Sequence, residues 1–395
     1  MMEPISVKNT IPLTWTRAEG FIVNDDHGNQ WIDMTSGIFV ANAGHSNPEI
    51  KKALIDQINS NLIFSYNYPT QIKQQFLEKL LAISPKHFDK VLLLMTGSEA
   101  CDAAFKLIKL WGKKNQRKYI ITFKGSYHGR GLSNDLVSGY PQKASWSGIN
   151  DENIVFLDFP YTGNELFDET LLPPANQIAA FFIETFQGWG AWFYPKPFIS
   201  KLCQFARKEG ALICFDEMQA GFYRLGEVYG YMTYDEAIQP DLLCLGKGIS
   251  SSLPIAAVLS RNELVNIDTQ ADLHGTHSGN PLCCAAALAN LEFLSTPKFL
   301  HDFRQRVRVF EQRVCELESL PSVKKVNARG MIAGLIFDDA NLATEIAFEC
   351  INRGVLPVCT NRSSIKLAPP LVISEEAIHE SIDVLRDSIN FICKS

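Results

Sequence analysis

The sequence lacks both an excess of basic residues and any long apolar run. Its 395 residues include 37 Lys and Arg against 43 Asp and Glu, which leaves a formal net charge of −6 at pH 7. Binding of a nucleic acid backbone requires a basic surface, and a membrane-spanning helix requires about 18 or more consecutive apolar residues. We therefore expect neither nucleic acid nor a membrane as a partner.

Cysteine is too sparse for a disulfide scaffold. The ten cysteines form no C-x-x-C pair, and residues 1–15 show no basic start followed by an apolar run, so we expect no secretion signal or transit peptide. Reduced cysteines and a cytoplasmic location are the expectation. With 46% hydrophobic and 20% charged residues, the chain has the composition of a globular protein, and its length allows two or three domains.

In the middle of the chain, short apolar runs alternate with helical patterns. Strands that are apolar on both faces and alternate with helices are typical of a parallel sheet covered on both sides. We therefore predict an α/β fold, with a large domain at 46–295. The predicted strands are 91–95, 119–123, 177–183, 211–215, 241–245 and 255–259, with helices at 99–111 and 197–209.

The pattern changes after Pro297. A long charged helix is predicted at 299–317, and a strand at 331–337 is followed by helices at 340–353 and 374–391. Residues 1–45 carry turn signals and short apolar runs near Phe21 and Trp31. We predict a small α+β domain formed from both ends of the chain, residues 1–45 and 296–395.

Three local features suggest a ligand site. Thr96-Gly97-Ser98 lies between an apolar strand and a helix start, where free N–H groups and the helix dipole attract an anion. The alternative is an ordinary turn with Ser98 as the N-cap. Asp216 ends a buried strand, where open α/β sheets bind ligands, although a structural ion pair explains it equally well.

The third feature is Lys247, a lone cation in the otherwise apolar segment 242–260. Burial without a partner lowers the pKa of an ammonium group, and a neutral amine is a nucleophile that forms Schiff bases. Most lysines are solvated, but this one has few polar neighbours along the chain. An anion cradle, an acid for a ring nitrogen and a Schiff-base lysine are together the parts needed to hold pyridoxal 5'-phosphate.

Five motifs in order resemble those of the class III (omega-type) aminotransferases, which are fold-type I pyridoxal phosphate enzymes with a mostly parallel central sheet. The likeness extends from about Gly20 to Pro369-Pro370-Leu371. The motifs are Thr96-Gly97-Ser98-Glu99-Ala100, Tyr127-His128-Gly129, Phe215-Asp216-Glu217-Met218-Gln219, Gly246-Lys247-Gly248 and Gly275-Thr276-His277-Ser278-Gly279-Asn280-Pro281-Leu282.

The resemblance implies a role for each matching residue. Gly97 and Ser98 would hold the cofactor phosphate, and Lys247 would form the Schiff base. Thr276 would reach the phosphate of a partner subunit, which implies a homodimer with shared active sites. The remaining implied residues are Tyr127 stacked on the ring, Asp216 at the ring nitrogen, Gln219 near the ring hydroxyl, and Glu184 and His128 close by. For His128 the alternative is a purely structural hydrogen bond.

Two positions depart from the family. Many members switch between substrates with a glutamate and an arginine, but Trp189 and Lys366 occupy these positions here. Lysine lacks the planar fork of arginine, so we expect no such switch and an amine-side substrate other than a plain α-amino acid. The aromatic cluster around Trp189 has a plainer interpretation as core or dimer interface.

We predict transamination from an amine or amino acid donor to a keto or aldehyde acceptor through a Lys247 Schiff base. An aminomutase, racemase, decarboxylase or lyase on the same scaffold is the nearest alternative, and a catalytically idle cofactor-binding homologue is an alternative of another class. His274 and His277 have no carboxylate or cysteine partner at suitable spacing, so we expect no metal.

Overall fold

The protein is described by a computed structural model that covers residues 13–268 and 271–394. Its strands are β1 (Arg17–Glu19), β2 (Ile22–Asn24), β3 (Gln30–Asp33), β4 (Lys90–Leu94), β5 (Tyr119–Phe123), β6 (Ile154–Leu157), β7 (Ile178–Glu184), β8 (Phe186–Gln187), β9 (Trp192–Phe193), β10 (Leu212–Asp216), β11 (Leu242–Leu245), β12 (Ala256–Ser260), β13 (Lys325–Arg329), β14 (Ile332–Ile336), β15 (Val355–Leu356), β16 (Val358–Arg362) and β17 (Ser364–Leu367).

Its helices match the predicted ones within a few residues where a prediction existed. They are α1 (Ser36–Phe39), α2 (Pro48–Asn59), α3 (Gln71–Ile83), α4 (Gly97–Lys114), α5 (Leu132–Val137), α6 (Lys196–Glu209), α7 (Asn262–Val265), α8 (Pro281–Leu294), α9 (Pro297–Cys315), α10 (Ala340–Asn352) and α11 (Glu375–Ile392), with short 3-10 turns between them. Within residues 13–268 and 271–394, no helix has both the length and the apolar character to cross a bilayer.

A seven-stranded sheet lies at the centre, in the order β4-β12-β11-β10-β7-β5-β6. The prediction of a mostly parallel sheet is confirmed, but β12 runs antiparallel to both β11 and β4. The reason is the short connection at 246–255, which contains no crossover helix of the length that a parallel return needs. This connection carries Lys247.

Two buried strands deliver carboxylates to the same edge of this sheet. Every residue of β7 and of β10 is buried, and the strands pair in parallel so that Asp216 lies opposite Glu184. The carboxyl ends of parallel strands are where ligands bind in open α/β sheets. The register therefore places two acids side by side at the ligand-binding edge.

Helix α4 points its N-terminus at this edge. It begins at Gly97, two residues before the predicted start, because Thr96 and Glu99 form a capping box in which each side chain accepts from the other's backbone N–H. The interpretation of Ser98 as the N-cap is therefore wrong. Thr96 takes that role and leaves Ser98 inside the first turn.

Segments from both ends of the chain meet in one of two four-stranded sheets; β8 and β9 form a separate two-stranded sheet. One has the order β1-β2-β3-β15 and the other β13-β14-β17-β16. Strand β3 pairs in parallel with β15, and the indole N–H of Trp31 donates to the Ile351 carbonyl at 2.8 Å. This pairing supports the small domain formed from both termini, whose boundaries at 45/46 and 295/296 stay a prediction.

A buried arginine ties three distant parts of the chain together. The Arg224 guanidinium is fully buried, and burial lowers its pKa to about 9. It donates to the carbonyls of Met331 (3.0 Å) and Pro369 (2.5 Å) and to the side-chain oxygens of Ser36 (3.1 Å) and Asn42 (2.6 Å). We call these five residues the Arg224 node.

Candidate active site

A cavity of about 190 Å³ opens at the carboxyl edge of the central sheet. It lies between the N-terminus of α4, the ends of β7 and β10, and the β11–β12 connection. The structure brings eight predicted residues together in its wall: Gly97, Ser98, Tyr127, His128, Glu184, Asp216, Gln219 and Lys247. Thr276, Trp189 and Lys366 do not line it.

The backbone approaches closely where an anion would bind. The N–H groups of Gly97 and Ser98 occupy the first two helical positions and find no acceptor among the described residues. A Cβ on Gly97 would lie 2.8 Å from the Met218 sulfur, and one on Gly129, whose φ is +116°, would lie 2.7 Å from the Ser98 hydroxyl. Glycine at both places keeps this end of the cavity open to a phosphate.

Asp216 is buried, yet it is held by donors. Its Oδ1 accepts from the Met218 N–H at 3.0 Å, and its Oδ2 lies 2.9 Å from His128 Nδ1 and 3.4 Å from Cys101 Sγ. Since a carboxylate only accepts, Nδ1 of His128 carries the proton. His128 is itself buried against Phe182, and it fixes the direction of the carboxylate.

Lys247 enters the cavity from a strained backbone. Its φ is +45°, in the left-handed region, and the side chain is half-buried. Across residues 13–268 and 271–394, no acceptor lies within hydrogen-bonding distance of Nζ. Burial lowers the pKa of this ammonium group, although the nearby carboxylates of Asp216 and Glu184 act in the opposite sense. The result is an amine that gives up its proton more readily than an exposed lysine.

Glu184 closes the cavity beside Tyr127. Its Oε1 accepts from the Tyr127 N–H at 3.0 Å and its Oε2 from the Gly188 N–H at 3.2 Å. Burial raises the pKa of this carboxyl to about 7. Glu184 therefore positions the backbone that carries the Tyr127 ring.

These side chains fit pyridoxal phosphate. The free N–H groups of Gly97 and Ser98 suit its phosphate, the directed carboxylate of Asp216 suits a protonated ring nitrogen, and the unpartnered Nζ of Lys247 suits its aldehyde. Each of these groups has bonding capacity that the described protein atoms leave unused.

Comparison with known proteins agrees with this chemistry. The family model "Aminotransferase class-III" matches residues 5–389. The chain belongs to the class III aminotransferases. Its reaction class is accordingly pyridoxal phosphate-dependent transamination, and its fold is the fold type I of these enzymes.

Relatives cover almost the whole of this aminotransferase. It is 30% identical over 393 residues to the acetylornithine aminotransferase of Aquifex aeolicus (strain VF5), a match that covers 95% of this chain and 97% of that protein. It is 28% identical over 389 residues to the ornithine aminotransferase of Brevibacillus brevis (strain 47 / JCM 6285 / NBRC 100599), with 96% and 94% covered. Each match extends over nearly the full length of both proteins.

The fold is shared with solved structures. The adenosylmethionine-8-amino-7-oxononanoate aminotransferase from Methanocaldococcus jannaschii DSM 2661 superposes with a TM-score of 0.88 at 26% identity, covering 98% of this chain and 94% of that chain.

Lys366 reaches the aminotransferase cavity through a neighbour. It is buried on β17, where its Nζ donates to Gln219 Oε1 at 3.3 Å and lies 4.5 Å from the centre of the Phe39 ring. Burial lowers its pKa to about 7, and the charge of Lys247 acts in the same direction. Lys366 thus contacts the cavity wall and not the cavity itself.

Trp189 sits in the aromatic cluster that the sequence predicts. Its indole N–H donates to Gln187 Oε1 at 3.1 Å, which also accepts from the Tyr161 hydroxyl at 2.6 Å, and the Trp192 ring lies 5.8 Å away. Sequence reasoning missed Arg362, whose guanidinium lies 5.5 Å from the Trp189 ring. The available signal was closeness in sequence, because Arg362 precedes the expected substrate residue Lys366 by four residues.

The segment around Thr276 lies apart from the cavity. Thr276 is exposed, His274 pairs with Asp272 at 3.1 Å, and the His277 ring lies 5.1 Å from the Phe64 ring. No group of three metal-ligating side chains forms within the described residues, and the expectation of no metal stays a prediction.

Proposed function

We propose that Lys247 is the residue that binds the cofactor aldehyde and moves the proton during transfer of an amino group from an amine or amino acid to a keto or aldehyde acceptor. The observation that carries this role is the unpartnered Lys247 Nζ in a cavity that also holds a buried, directed carboxylate and a helix N-terminus. Pyridoxal phosphate, when bound, supplies a ring that withdraws electrons from the carbon bearing the amino group.

The side chains of the cavity bind the cofactor ring, orient one another and move the proton. Asp216 holds a negative charge for the ring nitrogen, and His128 keeps its carboxylate aimed into the cavity. Lys247 has a lowered pKa, so that its Nζ accepts a proton from the substrate carbon and later returns one. Tyr127 provides an aromatic face at the wall.

The absorption spectrum tests the role of Lys247. We expect a visible band in the purified protein that borohydride bleaches, and its loss in Lys247→Ala with the thermal unfolding midpoint retained. Lys208→Ala removes a lysine whose side chain is 76% exposed and is the matched control. A wild-type protein that never acquires the band contradicts the proposal, and it also contradicts the idle cofactor-binding homologue.

Consumption of both substrates separates transamination from its alternatives. A racemase, mutase, decarboxylase or lyase needs no second substrate, whereas this reaction consumes one amine donor and one oxo acceptor in equal amounts. Product formed from an amine alone would favour those alternatives.

We also propose a homodimer in which Thr276 serves the partner's phosphate. Its exposure and its position outside the cavity of its own subunit support this arrangement. We expect sedimentation at twice the 44.2 kDa chain mass and weaker cofactor binding in Thr276→Ala, with the dimer intact. A monomer with full cofactor affinity would contradict it.

A cytoplasmic location is also part of the proposal, and the ten free cysteines support it.

A further inference from the structure

Helix α8 places a buried amide against the connection that carries Lys247. Asn290 is fully buried, and the other buried residues of α8 are Pro, Leu, Ala and Cys. Its Nδ2 donates to the carbonyls of Gly248 and Ile249, each at 2.9 Å, and its Oδ1 accepts from the Ser251 hydroxyl at 2.6 Å. Both N–H donors and the oxygen of this amide are thus bonded to the connection between β11 and β12.

The partners of Asn290 fix the orientation of its amide. A carbonyl only accepts, so the NH2 group must face Gly248 and Ile249, and the amide oxygen then faces Ser251. The Ser251 hydroxyl also accepts from the Ala43 N–H at 2.9 Å. An apolar side chain at position 290 would leave two carbonyls without this donor in the protein interior, which is unfavourable.

The connection that Asn290 contacts has a strained backbone at two residues. Lys247 has a φ of +45° and Ser251 a φ of +55°. Residues with a side chain occupy this left-handed region when their surroundings impose it. Steric contact also restricts the segment, because a Cβ on Gly248 would lie 2.5 Å from Asn42 Nδ2. The amide of Asn290 therefore acts on the backbone of the two residues that directly follow the strained lysine.

We propose that Asn290 is a positioning residue that holds Lys247 in the left-handed backbone conformation from which its side chain enters the cavity. This inference rests on the proposed function, because it concerns the support of the lysine that binds the cofactor aldehyde. Without the amide, the backbone of Lys247 relaxes toward negative φ and the Nζ atom turns away from the aldehyde. The rest of the cavity keeps its shape, since Gly97, Ser98 and Asp216 belong to other elements.

Two forms of the cofactor that differ in one group test the proposal. Pyridoxal phosphate carries an aldehyde that reacts with a lysine, whereas pyridoxamine phosphate carries an amine at the same carbon and forms no Schiff base with it. Asn290→Leu keeps the branched shape of the side chain and removes its hydrogen bonds. In this variant we expect the affinity for pyridoxal phosphate to fall about tenfold or more and that for pyridoxamine phosphate to stay within about twofold. Calorimetric titration of the full-length chain freed of cofactor measures both.

A milder variant and a matched control accompany Asn290→Leu. Asn290→Ala leaves a polar space that a water molecule can fill, with the carbonyls of Gly248 and Ile249 as partners. It should show the same selective loss at about threefold, and it decides the question if the leucine variant does not fold. Asn327→Leu removes another buried amide, which donates to the Gly190 carbonyl at 3.0 Å. This control should lose stability and bind both forms of the cofactor as the wild type does.

A second substitution separates this inference from the proposed function. Lys247→Ala should itself weaken the binding of pyridoxal phosphate, and in its background Asn290→Leu should cause no further loss. If Lys247→Ala does weaken binding, then equal losses for the two cofactor forms in either Asn290 variant, no loss for either form, or an undiminished loss in the Lys247→Ala background overturn the role of Asn290. Wild-type affinity for pyridoxal phosphate in Lys247→Ala overturns the proposed function, and this inference with it.

Discussion

The cofactor cavity and the Arg224 node both contain buried charged groups, but they differ in how many hydrogen-bond partners those groups have. At the node, the two terminal nitrogens of the buried guanidinium have four acceptors within 3.1 Å, and its Nε–H alone lacks one among the described residues. In the cavity, the Lys247 Nζ and the first two N–H groups of α4 have no partner among the described residues, and neither does Nε2 of the buried His128.

The difference separates a structural charge from a functional one. A buried polar group without a partner weakens the fold, so a cluster of such groups indicates that a ligand completes them. The same contrast occurs between consecutive residues. Asp216 faces the cavity, whereas Glu217 accepts from the Thr185 hydroxyl and from the N–H groups of Gly230 and Tyr231. Burial raises the pKa of Glu217 to about 7.

Substitution of the two neighbouring acids should give the largest contrast in activity. We expect Asp216→Asn to lower kcat by about 10²- to 10³-fold, because the cavity loses the charge that it directs at the cofactor, while the unfolding midpoint stays near that of wild type. Glu217→Gln is the control. It should keep kcat per folded molecule within about threefold and lose stability, since one of its acceptors becomes a donor.

Steady-state kinetics and thermal unfolding measure both effects. The contrast between a functional and a structural carboxylate would be broken by equal losses of kcat in the two variants.

Replacement of Arg224 should lower the stability of the protein and leave its cofactor binding unchanged. Arg224→Met leaves the carbonyls of Met331 and Pro369 and the side chain of Asn42 without their donor, and we expect a loss of about 3 kcal/mol in the free energy of unfolding. Arg224→Lys should recover part of it. Urea unfolding measures the loss, and cofactor binding by the folded fraction should be retained. A stable Arg224→Met protein that fails to bind the cofactor would assign the node to the active site.

Burial of Lys366 should make the stability of the protein depend on pH. Its pKa is lowered from 10.5 to about 7, so between these values the unfolded chain holds a proton that the folded chain has released. The stability of the wild type therefore rises with pH across this window, by up to about 1.4 kcal/mol per pH unit, and falls as the pH drops through about 7.

Lys366→Met removes this dependence, so its stability relative to wild type should be greatest near pH 7 and should decline toward pH 10. Urea unfolding at several pH values measures it, with the exposed Lys208→Met as the control. A constant difference across the window would show that Lys366 titrates normally and is solvated.

Local signals predicted much of the fold and the cavity. Asp216 follows an apolar run and Lys247 interrupts one, and both patterns are visible within ten residues of sequence. The alternative interpretation of Ser98 as the N-cap of α4 is wrong. Thr96 and Ser98 are both good N-cap residues, but only Thr96 has a glutamate, Glu99, at the capping-box spacing of three residues.

Contacts between distant segments left weaker signals. The partners of Arg224 come from both ends of the chain, and periodicity carries no information about such pairs. Even so, Arg224 is a lone cation in an apolar stretch, the same pattern that identified Lys247. His128 gave no sign of its bond to Asp216, since 88 residues separate them.

The pairing of β3 with β15 has a consequence for the newly made chain. The hydrogen bond between Trp31 and Ile351 spans 320 residues, and at about 5 to 20 residues per second a ribosome needs on the order of 15 to 60 s to make that length. Until β15 has been synthesised, the backbone N–H and C=O groups along that edge of β3 have no partner strand. The first strands to leave the ribosome are among the last to complete their sheet.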